Sequence, residues 1–190
     1  ANRHIRLAAK RLGIPIKMVE LPGMGHGGVT PPADAFSEMM RKVRPHDLKE
    51  FTHWFRYADQ GRMAWLRQTR YQGKPWRGID FVVRPKNDED YSDAALRTIE
   101  QKLALLRGRI DGQTIHIKTR KCKEIELLLH DGLVDLDREV TIRLKGREVF
   151  RGPVTRQVRT LLDVAYTDWD FQRLFPVRLR ITRTGETRPY

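Results

Sequence analysis

Cysteine is almost missing from this chain. Cys122 stands alone in 190 residues, which excludes an internal disulfide and any cysteine-built zinc site. Flanked by Lys121 and Lys123, its thiol would be acidified if exposed, but no residue near it in sequence supplies the base that a catalytic thiol needs. No stretch approaches the ~18 apolar residues of a membrane-spanning helix, and no signal-peptide pattern begins at Ala1. Internal repeats, low-complexity segments, basic tails and long blocks of one charge are also lacking.

What the chain has in excess is positive charge. Lys and Arg total 37 against 24 Asp and Glu, a net charge of +13. Such an excess raises affinity for nucleic acid, acidic polysaccharide or anionic lipid headgroups. It is dispersed, with seven Lys and Arg against three Asp and Glu in residues 1–43. Dispersed charge reads first as a solvated surface and second as a binding groove. Hydrophobic content of 39% and charged content of 32% describe a polar globular chain, because alternating apolar segments argue against general disorder.

The chain organises around Ile14–Gly28, IPIKMVELPGMGHGG. Ile14, Ile16, Met18, Val19 and Leu21 form a short apolar run, the pattern of a strand covered on both faces. It stops at Pro22-Gly23, and a glycine-packed loop then carries His26. Glycines let the backbone bend sharply and let other groups come close to that side chain. The carboxyl end of such a strand is where open α/β sheets place their chemistry; the same spacing also fits a turn with an incidental histidine. Residues 2–12 place Ile5, Ala8, Ala9 and Leu12 on one helical face, with Gly13 as C-cap. Pro31-Pro32 opens a second helix, Ala33–Val43, with Phe36, Met39, Met40 and Val43 apolar. Helix–strand–helix cannot close a core alone, so residues 1–43 read as the tail of a larger α/β domain.

Residues 44–47 form a linker, and residues 44–190 read as a β-rich domain. Strands are expected over 48–57 and 63–71, joined across 58–62, with a third at Ile79, Phe81 and Val83. Ser92 is placed to cap a helix carrying Leu96, Ile99, Leu103 and Leu106. From Arg109 the alternation is regular: Ile115 and Ile117; Ile125, Leu127 and Leu129; Val140, Ile142 and Leu144; then a tight turn at Lys145-Gly146 into Val149. Turn signals at Asp111-Gly112, Asp131-Gly132 and Lys145-Gly146 fall at sandwich spacing. A helix presenting Val158, Leu161, Leu162 and Ala165 inward follows, then a closing strand at Val177, Leu179 and Ile181 and a polar, frayed end. The expected fold class is α+β: a helix–strand–helix segment followed by a mostly antiparallel β-sandwich-like domain with two helices.

Several side chains are candidates for chemistry. Trp54, Tyr57, Trp65 and Tyr71 interleave with Arg56, Arg62, Arg67 and Arg70, as in single-stranded nucleic-acid platforms. Aromatics at strand spacing more often fill a core with arginines outward, which makes nucleic acid the weaker partner and carbohydrate the stronger. His46 and His53 match no usual zinc spacing. His116 lies between Ile115 and Ile117 and points to solvent. His130 borders a turn. Asp135 and Asp137 fall on one face, open to calcium or to a satisfied turn. Glu124 and Glu126 read as the wet face of a strand. No metal or cofactor is expected.

Serine catalysis needs a nucleophile, a histidine base and a carboxylate. No Gly-x-Ser-x-Gly elbow occurs, and neither Ser37 nor Ser92 lies on a glycine-flanked strand-to-helix turn. The stretch AAKRLGIPIKMVELPGMGHGG with the helix DAFSEMMRKV behind it nevertheless resembles the C-terminal end of prolyl-oligopeptidase-like and dienelactone-hydrolase-like α/β-hydrolases. LVDLDREVTIRLKGREVFRG, the helix around Leu161 and Phe175-Pro176 resemble a β-rich C-terminal extension of some bacterial members. The resemblance implies that His26 is the triad base and that nucleophile and acid lie outside this chain, a C-terminal piece inactive alone. It implies an upstream hydrolase segment or another chain, a second copy included, pairing with strand 14–21, and leaves the compartment open, export included. A non-catalytic module that binds polyanions, or a purely structural interaction domain, is the alternative.

Overall fold

Period-two alternation builds most of this molecule. The structure, a computed structural model, describes residue 10 and residues 33–41, 47–73, 82–171 and 173–189. The chain divides into two compact units, Ala1–Arg44 and Pro45–Tyr190. In the first, helix α1 spans Ala33–Arg41, starting where Pro31-Pro32 predicts. Asp34 in its first turn and Arg41 in its last oppose the helix macrodipole. Phe36 and Met40, four residues apart and so on one face, are 53% and 69% exposed. The expected strand 14–21, the helix over 2–12 and Val43 lie outside the described residues.

The second unit contains two five-stranded sheets. Its strands are β1 Glu50–Phe55, β2 Arg62–Met63, β3 Leu66–Tyr71, β4 Ala104–Asp111, β5 Thr114–Arg120, β6 Cys122–Leu129, β7 Val140–Leu144, β8 Arg147–Gly152, β9 Val177–Thr182 and β10 Thr187–Pro189. Helices α2, Tyr91–Lys102, and α3, Val158–Asp168, interrupt them. The first sheet runs β1-β4-β5-β7-β8 and the second β10-β9-β6-β3-β2. Among the described residues only β5 and β7 pair in parallel, and every other ladder is antiparallel. The mostly β, mixed α+β architecture of the sequence reading is present.

Inward residues alternate as expected. Leu106, Ile115, Ile117 and Ile142 from the first sheet join Leu66, Ile125, Leu127, Leu179 and Ile181 from the second in one core. Trp65, in the two-residue turn between β2 and β3, ties the sheets together. It is 1% exposed, meets Phe51 of β1 edge-on at 5.2 Å, and its indole N–H donates to Leu48 O at 2.8 Å. Gly108 of β4 is the floor beneath that ring: a Cβ there would lie 2.4 Å from Trp65 Cη2.

Four expectations change. Strands β1 and β3 do not pair with each other but enter different sheets, because a 3-10 turn at Ala58–Gln60 and the short β2 redirect the chain. Asp90, not Ser92, caps α2, its carboxylate accepting from Ser92 N–H at 2.7 Å. That helix ends at Lys102, and Leu106 is a fully buried residue of β4; the 3.6 and 2.0 periods overlap at that junction. Finally, the C-terminal end is not simply frayed: Thr187–Pro189 adds a strand to β9. Residues 79–81 lie outside the described set, and Val82–Lys86 belongs to no sheet. Among the described residues no helix is long and apolar enough to cross a membrane.

Gly108→Ala drives a methyl group into the Trp65 ring and should cost about 2 kcal/mol. For a unit of this size that lowers Tm by roughly 5 °C, measurable by calorimetry.

Candidate functional site

His26, the residue the resemblance singles out, lies outside the described residues, as does His46. The remaining candidates of the sequence reading are all placed. Among the described residues no His, Cys, Asp and Glu group could hold a metal ion. Cys122 is buried, and burial pushes its thiol up to about 12. The condition for acidification by Lys121 and Lys123, an exposed thiol, is therefore not met, and desolvation dominates once the thiol faces the core. His130 is held by its loop: its Nδ1 accepts from Gly132 N–H at 3.1 Å, and its Nε2 lies 3.4 Å from Asp47. His53 Nε2 sits 2.7 Å from Gln60 O.

Asp135 and Asp137 belong to a turn that satisfies itself. Asp135 accepts from the Asp137 N–H at 3.0 Å, and Gln113 clamps the Asp135 backbone from both sides. Arg156 bridges Asp131 and Asp137, holding both carboxyls below their ordinary value through its hydrogen bonds. The turn reading holds and the calcium reading has no vacant carboxylate pair to rest on. Ser92 occupies the first turn of α2, its backbone N–H donating to the Asp90 carboxylate.

The interleaved aromatics and arginines do not make a stacking platform. Trp65 is core. Tyr57 lies under the Arg56 guanidinium at 4.8 Å, and Trp54 under that of Arg120 at 4.7 Å. Arg62 and Arg67 are both bound to Asp168. This last contact belongs to a ladder across the outer face of the second sheet. Register places Arg67 beside Glu126 and Glu126 beside Arg180, alternating in sign as stable cross-strand pairs do. Thr69 donates to Glu124 at 2.8 Å, and Arg178 of β9 reaches Asp163 of α3 at 3.1 Å. Glu126 is therefore not on a wet face: it is 4% exposed. Helix α3 also turns differently from expectation, burying Thr160, Val164 and Ala165 while Val158 and Leu162 face solvent. Ala165 is buried as expected, and it shares its face with Leu161, Val164 and Asp168.

The outer face of the first sheet is the opposite case. Alternation turns Arg107 and Arg109 of β4, His116 and Lys118 of β5, and Arg143 of β7 to the same side. Register puts Arg107 opposite Lys118, Arg109 opposite His116, and His116 beside Arg143. Lys145, just past β7, extends the Lys118 row. These residues line an open groove of about 610 Å³. Glu50 and Asp111 beside it are more than half exposed and lie 3.7 and 3.3 Å from Arg107 and Arg109, pairs that are worth little when so wet, and Glu148 of β8 stands opposite Arg143. This is the candidate functional site, an anion-attracting surface. Sequence reasoning placed His116 facing solvent correctly, but could not see that β5 and β7, 20 residues apart, lie side by side.

No protein-family model matches the chain, and neither a curated protein nor a solved structure matches it.

Asp168→Ala would leave Arg62 and Arg67 without their shared carboxylate on a partly buried surface. It should destabilise the second unit by about 2 kcal/mol, less than a fully buried pair because Arg62 is partly wet. Urea denaturation measures this; an unchanged midpoint would mean the ladder is decorative.

Proposed function

We propose that this chain is the C-terminal part of a serine hydrolase of the α/β-hydrolase type, cleaving esters or peptides. Residues 1–43 supply the triad histidine, and residues 45–190 form a non-catalytic appendage. The observation that supports it best is the contrast between the two units. The β-rich unit closes its own core and holds no nucleophile–base pair or metal cluster among its described residues. Helix α1, immediately after the His26 loop in sequence, instead leaves Phe36 and Met40 more than half exposed. An amphipathic helix with its apolar face uncovered has the character of an element that belongs on a sheet. The pattern LPGMGHGG ahead of it is that of the histidine loop after the last strand of such a sheet.

In this role His26 takes the proton of a serine hydroxyl as the acyl bond is attacked, then returns it to the leaving group. Serine and carboxylate come from an upstream hydrolase segment or from a partner chain that adds a strand beside residues 14–21. The chain alone is then inactive.

Joined to its upstream reading frame, the protein should hydrolyse p-nitrophenyl esters or peptide anilides. His26→Ala should reduce kcat by roughly 10⁴-fold or more with Tm unchanged. Full activity in the His26→Ala protein, or no Gly-x-Ser-x-Gly in the upstream frame, would refute the hydrolase reading.

A further inference from the structure

The two outer sheet faces of the second unit differ in how far their cations are covered. On the second sheet the outer row reads Arg62, Arg67, Glu126, Arg180 and Arg188 across adjacent strands, and α3 lays Asp163 and Asp168 over it. On the first sheet one outer row reads Glu50, Arg109, His116, Arg143 and Glu148, and in the next Arg107 stands opposite Lys118. Arg107 and Arg109 are more than half exposed there. Like charges in opposed cross-strand positions destabilise a sheet, and an anion bound between Arg107 and Lys118 would relieve that repulsion.

The geometry points to a binding site for a linear acidic polysaccharide across the outer face of the first sheet, its carboxylate or sulfate groups held by Arg107, Arg109, Lys118, Arg143 and Lys145. Three features select this occupant. The cations lie in two rows that cross neighbouring strands, Arg107–Lys118–Lys145 in one and Arg109 and Arg143, either side of His116, in the other. Strands spaced ~4.8 Å apart turn those rows into a track of regularly repeated charge. A polymer with a charge on each repeating unit matches such a track, and arginine forks pair with carboxylate and sulfate oxygens in two-point contacts.

Single-stranded nucleic acid fits less well, because its platforms stack bases on exposed aromatic rings. Among the described residues no Phe, Tyr or Trp lines the groove, and the Trp54 ring on the same sheet is already covered by Arg120. The turn at the groove edge adds a third feature. Lys145 and Gly146 both have positive φ, 52° and 86°, as a two-residue hairpin turn of type I′ requires. Asn, Asp or Gly is the usual first residue there. A lysine is held in the left-handed region at some cost and lines the groove.

This site does not depend on the role of His26, and the test separates the two. The full 190-residue chain is titrated by calorimetry with heparin, with polygalacturonate and with single-stranded DNA, at low and at physiological salt. Arg109→Glu/Lys118→Glu is compared with Lys123→Glu/Arg159→Glu, which changes net charge equally at exposed positions off the groove. Arg109→Gln/Lys118→Gln serves as a milder version. Thermal melts without ligand check that each variant is folded. Binding of at least one acidic glycan that weakens with salt, falls tenfold or more in the groove variants and stays within about twofold in the control supports the proposal. Equal losses in groove and control variants would reduce the effect to net charge and overturn it. So would tighter binding of DNA than of either glycan, or no glycan binding at low salt.

Discussion

The packing of Trp65 against Gly108 is the contact on which the β-rich unit depends. The indole comes from a two-residue turn of one sheet and lies on the bare backbone of a strand in the other. Its ring edge meets Phe51, and its N–H finds the Leu48 carbonyl at 2.8 Å. A buried tryptophan needs both a space its own size and an acceptor for its one donor. Glycine at 108 provides the space. With this contact in place, the inner faces of β4 and β6 approach closely enough for Leu106, Leu127 and Leu129 to leave solvent altogether.

With the inner faces committed to the core, the outer faces carry whatever distinguishes this molecule. A net charge of +13 must sit somewhere, and it is distributed unevenly. The second sheet offsets its arginines with Glu126, Glu124, Asp163 and Asp168 and covers them with α3, so that those cations serve stability. The first sheet leaves Arg107 and Arg109 more than half exposed. An excess of one sign around an open groove gathers counter-ions.

The first unit has a different physical status. Helix α1 is well specified by its own sequence, with proline at its start and charges matched to its dipole, yet it exposes Phe36 and Met40. Local signals suffice to form a helix, whereas covering its apolar face requires a neighbour.

Much of the fold was legible because burial on one side of a strand imposes alternation, and β5, β7 and β9 obey it without interruption. The turn signals at Gly112 and Gly146 were equally direct, since only certain residues accept positive φ. Legibility failed where two periods met, as at Leu103–Leu106, and where tertiary packing chose which side of an element is covered, as in α3, which exposes Val158 and Leu162. Glu126 was misread for the same reason: alternation shows which residues face outward, but not that a helix will cover them. His26 and its loop were read from a local pattern, and the basic groove was not read at all. By itself the sequence determined the strands, the turns, the inward residues and the excess of positive charge, because these follow from local periodicity and composition. Only the tertiary structure decided which strands are neighbours, and hence that Arg107, Arg109, Lys118, Arg143 and Lys145 share one surface. Charge opposition across strands is a property of register, and register is set by the packed core.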